Sequence, residues 1–233
     1  MVMTMAPRAN TDWRSAIRNG VYPVSFAAKL TETTNARVAS WFRVRNGSSL
    51  APAIVTPFDP IAGQIVMPFL ALVEARFVAH FRKHGLSLQT IRKVARKMRA
   101  DHDVAHPFAT DGRFRTDGKK VMMEMASDDG ERRLIDIMTD EFGFPSVIEP
   151  SLFDTVIYAD DLAARMTFAE FPSIVVDPLF ALGRPIVLPG YVPTETLAAA
   201  YMAEGDVDAV AEWFGTEPSA VTQAVGFQQR LAA

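Results

Sequence analysis

Three side chains close together in the chain, Asn35, Arg37 and Ser40, are of the types that read base edges in DNA. Arginine forks onto guanine, asparagine onto adenine, and a serine hydroxyl serves either base. Arg43 and Arg45 follow, and cations placed there suit backbone phosphates. A second basic group, Arg113, Arg115, Lys119 and Lys120, flanks Asp117-Gly118. Asp-Gly between alternating residues signals a tight hairpin, and a hairpin with a basic tip suits phosphate or minor-groove contact. A third group, Arg92, Lys93, Arg96, Lys97 and Arg99, crowds one helix, with only Asp101 and Asp103 as nearby acids. One helix face cannot bury five cations, so they are expected to project to solvent or to an anion. The plainer reading of such a run is a solvated face.

Other chemistry is poorly supplied. The chain has no cysteine, which removes disulfides and thiolate catalysis. Asp101, His102, Asp103 and His106 are metal-ligand types without a defined spacing, and His80 and His84 lack a companion carboxylate in sequence. A polar loop and a helix surface account for both sets. The pair Asp160-Asp161 reads as a turn between strands, since nothing supplies the ordered carboxylates of a two-metal hydrolase. There is no glycine-rich phosphate loop, nucleophile elbow, zinc-protease motif or Ser/His/Asp set. No metal, no cofactor and no catalytic residue is expected.

The elements that must position the base-reading group begin at Tyr22. Val24, Ala27, Ala28 and Leu30 recur at helical spacing, and Thr31-Glu32-Thr33-Thr34-Asn35 makes a turn and caps a second helix, from about Asn35 to Arg43. Val38, Trp41 and Phe42 form its inner face; Arg37, Ser40 and Asn35 look outward. Helix, turn and polar-faced helix describe a helix-turn-helix, or equally a helical hairpin inside any soluble domain. Ala53-Ile54-Val55 and Gln64-Ile65-Val66 are expected as a small strand hairpin. The strongest helical pattern runs from Phe69 to His84, with Phe69, Leu70, Val73, Phe77 and Phe81 inward and Gly85 as its stop. A helix from Ser87 buries Leu88, Ile91, Val94, Ala95 and Met98. Beyond the basic hairpin, strands are expected at Arg133–Ile137, Thr155–Tyr158 and Ala163–Phe168, with a helix at Ser146–Phe153. Two short strands near Ile174 and Gly183 precede three helices, whose inward residues include Leu197, Tyr201 and Met202, then Val207, Val210 and Trp213.

The net charge of −3 hides a division. Residues 1–120 hold 19 basic and 8 acidic residues, a balance of +11; residues 121–233 hold 5 and 19, a balance of −14. A basic half joined to an acidic half suits two partners of opposite charge character. The first twenty residues lack the apolar core of a secretory leader, and the longest apolar run, Ile65 to Val73, is broken by Pro68 and too short to span a bilayer. A cytoplasmic protein without a membrane segment is expected.

Two stretches resemble known families. Tyr22 to Arg45, with FLALVEAR from Phe69 and GLSLQTIR from Gly85, resembles the MerR-type winged helix-turn-helix. Ile174 to Leu231, with IVVDP, GRPIV, GYVPTETLAAAY, GDVDAVAEWFG and PSAVTQAVGF in order, is similar to a short helical domain of unknown function. The two-part arrangement resembles antitoxins of VapB type, encoded beside PIN-like ribonuclease toxins. The resemblance implies an α+β protein. A winged helix-turn-helix at residues 1–125 would be followed by an α/β connector at 126–172 and a small helical domain at 173–233. It implies an antitoxin that neutralises a PIN-like ribonuclease and represses its own operon, as a homodimer on a palindromic operator. Asn35, Arg37 and Ser40 would meet bases, and Arg43, Arg45, Arg113, Arg115, Lys119 and Lys120 would meet phosphates; the residues that touch the toxin are not fixed. One departure is plain. Common VapB proteins are short and use a ribbon-helix-helix or AbrB-like reader, whereas this chain is long and carries another. The alternative is a MerR-like regulator whose C-terminal half binds a ligand or a protein, with no toxin.

Overall fold

The chain before the first helix and the chain after the second pair with each other and close the N-terminal unit. The computed structural model describes residues 20–44, 51–110 and 154–232. Strand β1 (Tyr22–Pro23) leads into α1 (Val24–Leu30) and α2 (Asn35–Trp41). Strand β2 (Val66–Met67) returns antiparallel to β1, with Tyr22 opposite Met67 and Pro23 opposite Val66. The hairpin expected at 53–55 and 64–66 does not form in that register. Pro57 and Pro60 interrupt the donor row, Ile61 pairs only with Gln64, and β2 takes its partner from the chain before α1.

Helix α3 (Phe69–Lys83) is the spine. Phe69, Val73, Phe77 and Phe81 are buried as their spacing predicts, whereas Leu70 is only half-buried, and Ala71, Leu72, Ala75 and Val78 are buried beside them. A helix covered on so much of its circumference lies inside the fold rather than on its rim. Gly85, at φ +91°, ends it: the Leu86 N–H donates to the Phe81 carbonyl at 3.1 Å. Helix α4 (Leu88–His102) starts at Ser87, whose hydroxyl accepts from the Thr90 N–H at 3.0 Å. A short 3-10 turn at Pro107–Ala109 then packs Phe108 edge-on against Phe81, their centroids 5.6 Å apart.

The C-terminal part is an antiparallel five-stranded meander. Its strands are β3 (Val156–Ala159), β4 (Leu162–Thr167), β5 (Ile174–Val176), β6 (Pro185–Val187) and β7 (Val192–Pro193). Asp160 and Asp161 both take positive φ in the two-residue turn between β3 and β4, a conformation that Asp tolerates and that matches strand twist. Strands β3 and β4 therefore join the same sheet as β5, β6 and β7. Helices α5 (Thr194–Glu204), α6 (Val207–Phe214) and α7 (Pro218–Ala232) follow. Seven α-helices and two sheets among the described residues make the fold α+β, as the sequence implied. No described helix is long and apolar enough to cross a membrane.

The buried apolar residues form one cluster, from Ala27 and Trp41 through Phe77 and Met98 to Ile174, Leu197 and Phe227. Polar contacts tie α7 to the first helical pair. Lys29 donates to the Leu231 carbonyl, and Arg230 bridges Glu32 at 2.9 Å and Glu170 at 2.7 Å. Arg76 of α3 donates to the Thr167 carbonyl at 3.2 Å, its guanidinium 5.7 Å from the Phe168 ring centre.

Two expectations about the last helices fail. Met202 and Trp213, expected inward, are both exposed. In α6 Val210 and Ala211 are buried, Val207 and Phe214 pack half-buried beside them, and Trp213 lies one position off this stripe. On α5 Leu197 is buried and Tyr201 half-buried, while Met202 turns to solvent.

Candidate nucleic-acid interface

Helices α1 and α2 meet through small side chains. Ala27 and Ala28 are fully buried, which lets Val38 and Trp41 of α2 come close, and Trp41 is only 4% exposed. The turn is built by its threonines. The Thr31 hydroxyl donates to the Ala27 carbonyl at 2.7 Å, and the Thr34 hydroxyl caps α2 by accepting from the Arg37 N–H at 3.3 Å. Glu32 adopts a left-handed conformation between them, at φ 52°.

This packing leaves one side of α2 open. Asn35, Ala36 and Arg37 are exposed, and Ser40 is half-buried with its hydroxyl donating to the Arg37 carbonyl at 2.6 Å. Arg43 is exposed just past the helix end. Asn35, Arg37, Ser40 and Arg43 thus lie on one helix and its exit, as their spacing predicted. Arg45 and the whole set Arg113, Arg115, Lys119 and Lys120 fall outside the described residues, as do the expected strand at 133–137 and helix at 146–153.

The basic run on α4 behaves differently from the expectation of five projecting cations. Arg92 is buried, and its Nη2 donates to the Ser40 carbonyl at 3.1 Å and to the Arg43 carbonyl at 2.8 Å. Those carbonyls stand at the C-terminal end of α2, where backbone acceptors lack intrahelical donors and the helix dipole favours a cation. Seven residues on, hence two turns along the same face, Arg99 repeats the device. It donates to the carbonyls of Ala105 at 3.0 Å, Pro52 at 3.0 Å and Ala53 at 2.7 Å. Burial lowers the Arg99 pKa from its ordinary value, and the Glu74 carboxylate opposes that shift. The segment so held hydrogen-bonds back to α2, the Ile54 N–H donating to the Trp41 carbonyl at 3.1 Å. Two cations that composition assigns to solvent are in fact the fasteners of the α2 exit. Apart from the Ala105 carbonyl, their acceptors are main-chain oxygens 46 to 52 positions away, which no local pattern reveals.

Glu74 completes the support. It is fully buried on α3, with Oε2 2.9 Å from His106 Nδ1 and Oε1 accepting from the Phe108 N–H at 3.3 Å. His106 is therefore an internal partner of Glu74, and Asp101 pairs with Lys97 at 3.1 Å. No group of three or more metal-ligand side chains converges among the described residues.

No family model matches the sequence. The chain is 23% identical over 230 residues to a Mycobacterium tuberculosis protein named "Putative antitoxin VapB45", covering 88% of this chain and 92% of that one. The X-ray crystal structure of Rv2018 from Mycobacterium tuberculosis has the same fold, with a TM-score of 0.70 at 23% identity, covering 88% of this chain and 96% of that chain. The chain thus has a distant relative that bears an antitoxin name, and the two are alike over nearly their whole lengths.

Proposed function

We propose that this chain is an antitoxin of VapB type, which represses its own operon and neutralises a PIN-like ribonuclease toxin. In this reading residues 1–125 are a MerR-like winged helix-turn-helix, residues 126–172 a connector, and residues 173–233 a helical domain. Asn35, Arg37 and Ser40 face base edges in the major groove. Arg43, Arg45 and the basic hairpin residues Arg113, Arg115, Lys119 and Lys120 hold backbone phosphates. The chain works in the cytoplasm as a homodimer, because one reading helix spans only half of a palindromic site.

The observation that carries the DNA half is the open side of α2. A short helix that exposes Asn35 and Arg37, and whose exit is fastened by Arg92, is a rigid polar edge with no covering element among the described residues. Sites built on fixed backbone are the ones that read sequence well. The antitoxin name of the relative supports the other half. So does the charge division, since an RNA-cleaving enzyme surrounds its active site with phosphate-attracting groups and an acidic partner is steered towards them.

The deciding experiment co-expresses the full chain with the product of the neighbouring gene and titrates the chain against DNA from its own upstream region. Capture and inhibition of a ribonuclease, together with saturable binding to that DNA, is the expected result. DNA binding with no captured nuclease would instead identify a MerR-like regulator whose C-terminal half serves a ligand or another protein.

A further inference from the structure

Leu179, Phe180, Leu182 and Tyr191 are large apolar side chains that all stand exposed, Leu179 at 73% and Leu182 at 62%. They belong to the connections on either side of β6, which fold towards each other so that the rings of Phe180 and Tyr191 stack with centroids 4.4 Å apart. Exposure here is not looseness. The Phe180 N–H donates to the Asp177 carbonyl at 3.1 Å, the Gly183 N–H to the Phe180 carbonyl at 2.8 Å, and Arg184 Nε to the Ala181 carbonyl at 3.1 Å. The backbone bends against its preference to present these groups. Ala181, Leu182 and Tyr191 take left-handed φ values of 48°, 58° and 57°. That region is costly for a residue with a Cβ, and such strain collects at functional surfaces.

The charges at this platform are already matched. Asp177 is held by Arg165 at 2.8 Å, and Arg184 pairs with Glu195. A partner is therefore selected by apolar fit and not by steering, which is the character of an interface between like copies. Residues 121–233 carry a balance of −14, so most of this half repels a second copy, and a neutral apolar spot is where two copies can approach. The four side chains expose roughly 400 Å², and a two-fold contact uses the patch twice. With a polar rim the total reaches the ~1,000 Å² that a specific interface needs.

We propose that the connections flanking β6 form the interface between two copies of this chain. The homodimer belongs to the reading above, and this inference rests on that part of it and names the surface. The platform also touches the start of the first helical pair. Gly183 is packed so closely that a Cβ there would collide with the Tyr22 hydroxyl and stand 3.2 Å from the Gly20 Cα. Tyr22 opens β1, which runs directly into α1. A two-fold contact at the platform thus sets the distance and angle between the two α2 helices, and with them the half-site spacing that the pair could read.

The test uses the full chain. It has no cysteine, so Leu179→Cys places the sole thiol of the molecule on the platform. Mild oxidation of that variant is expected to give a covalent dimer, whereas Met202→Cys, exposed on α5, stays uncrosslinked. Sedimentation equilibrium of the unmodified chain gives a dimer, and its melting temperature rises with concentration. Leu179→Asp with Leu182→Asn raises the dimer dissociation constant by about 100-fold or more, because a two-fold interface loses each contact twice. Asparagine tolerates the left-handed backbone at position 182, so the circular dichroism of the variant stays that of the unmodified chain. Upstream DNA and the ribonuclease encoded beside this chain are titrated in parallel. If the unmodified chain is monomeric at every concentration, if the double variant dimerises as tightly as it does, or if Met202→Cys cross-links and Leu179→Cys does not, the inference is wrong. Binding to DNA and nuclease would then still uphold the antitoxin reading. If the unmodified chain is monomeric and the double variant loses the nuclease, the platform serves another protein and the inference is equally wrong. If the dimer breaks on substitution but the chain binds neither DNA nor nuclease, the inference stands and the antitoxin reading falls.

Discussion

Arg92 Nη2 lies 2.8 Å from the main-chain oxygen of Arg43, so a buried cation on α4 fixes where the chain leaves α2. Replacing Arg92 by Met keeps the apolar stem and removes the donors. The expected cost is about 1.5–3 kcal/mol, the usual range for hydrogen bonds from a charged group. Upstream-DNA affinity falls as well, because Ser40 and Arg43 lose their common anchor. Arg92→Lys does not restore it, since the lysine side chain is one bond shorter and its ammonium does not reach the point from which Nη2 serves both carbonyls. Urea unfolding and a DNA titration check both effects. Unchanged affinity in Arg92→Met would show that the α2 exit is held by other means.

Trp41 is the second determinant of how α2 is held. It is 4% exposed and packs in the cluster that contains Val38, Phe77 and Phe81. Trp41→Ala is expected to lose about 3–5 kcal/mol, as large-to-small changes at buried aromatics do. DNA binding then disappears together with the folded baseline. A thermal melt that shows no change would mean that the helix phase assigned here is wrong.

The proposed contacts to DNA separate by kind. Arg37 is exposed, so Arg37→Ala leaves the melting temperature alone and costs about 1–3 kcal/mol of discrimination at one base pair. Neutralising Lys119 and Lys120 weakens binding to all sequences alike. It lowers the slope of log affinity against log salt by about 0.9 for each lost phosphate contact. Affinities at four salt concentrations, on the upstream site and on unrelated DNA, distinguish the two behaviours. An unchanged slope in the lysine double variant removes the hairpin from the interface.

Tyr22 supplies a test that depends on pH. Its ring is 4% exposed, and its hydroxyl has no hydrogen-bond partner among the described residues. Burial first, and the Asp177 carboxylate second, push its pKa well above the ordinary phenol value. The folded chain therefore keeps the proton at pH values where the unfolded chain releases it. Stability from this group is complete below about pH 10 and declines as the pH rises further. Tyr22→Phe should remove that alkaline loss. At neutral pH it should be neutral or stabilising by about 1 kcal/mol, because an unsatisfied buried hydroxyl is deleted. Paired melts at pH 8 and pH 11 decide the matter; a large destabilisation at pH 8 would reveal a partner for the hydroxyl.

What the sequence discloses and what it conceals follows the range of each interaction. The helix pair, its threonine turn and the α3 stripe are set by residues three or four positions apart, and all were readable. So was the hairpin at Asp160-Asp161, because the turn chemistry is local. The pairing of β1 with β2 was not, since both are two residues long and lie more than forty positions apart. Arg92, Arg99 and the Glu74–His106 pair were hidden for the same reason. Trp213 was missed for a different one. It stands next to Phe214, hydropathy ranks both as core, and only the burial of Val210 and Ala211 shows which of the two rings faces in.

The contacts of α7 with the first helical pair bear on events at the ribosome. Glu32 and its partner Arg230 are 198 positions apart, and Lys29 is 202 from Leu231. Translation adds roughly 5–20 residues per second, so about 10–40 s pass between the emergence of α1 and the arrival of the helix that covers it. During that interval α1 must be sheltered by α2 and α3 or by a chaperone. The first helical pair therefore reaches its final form only after α7 has been made.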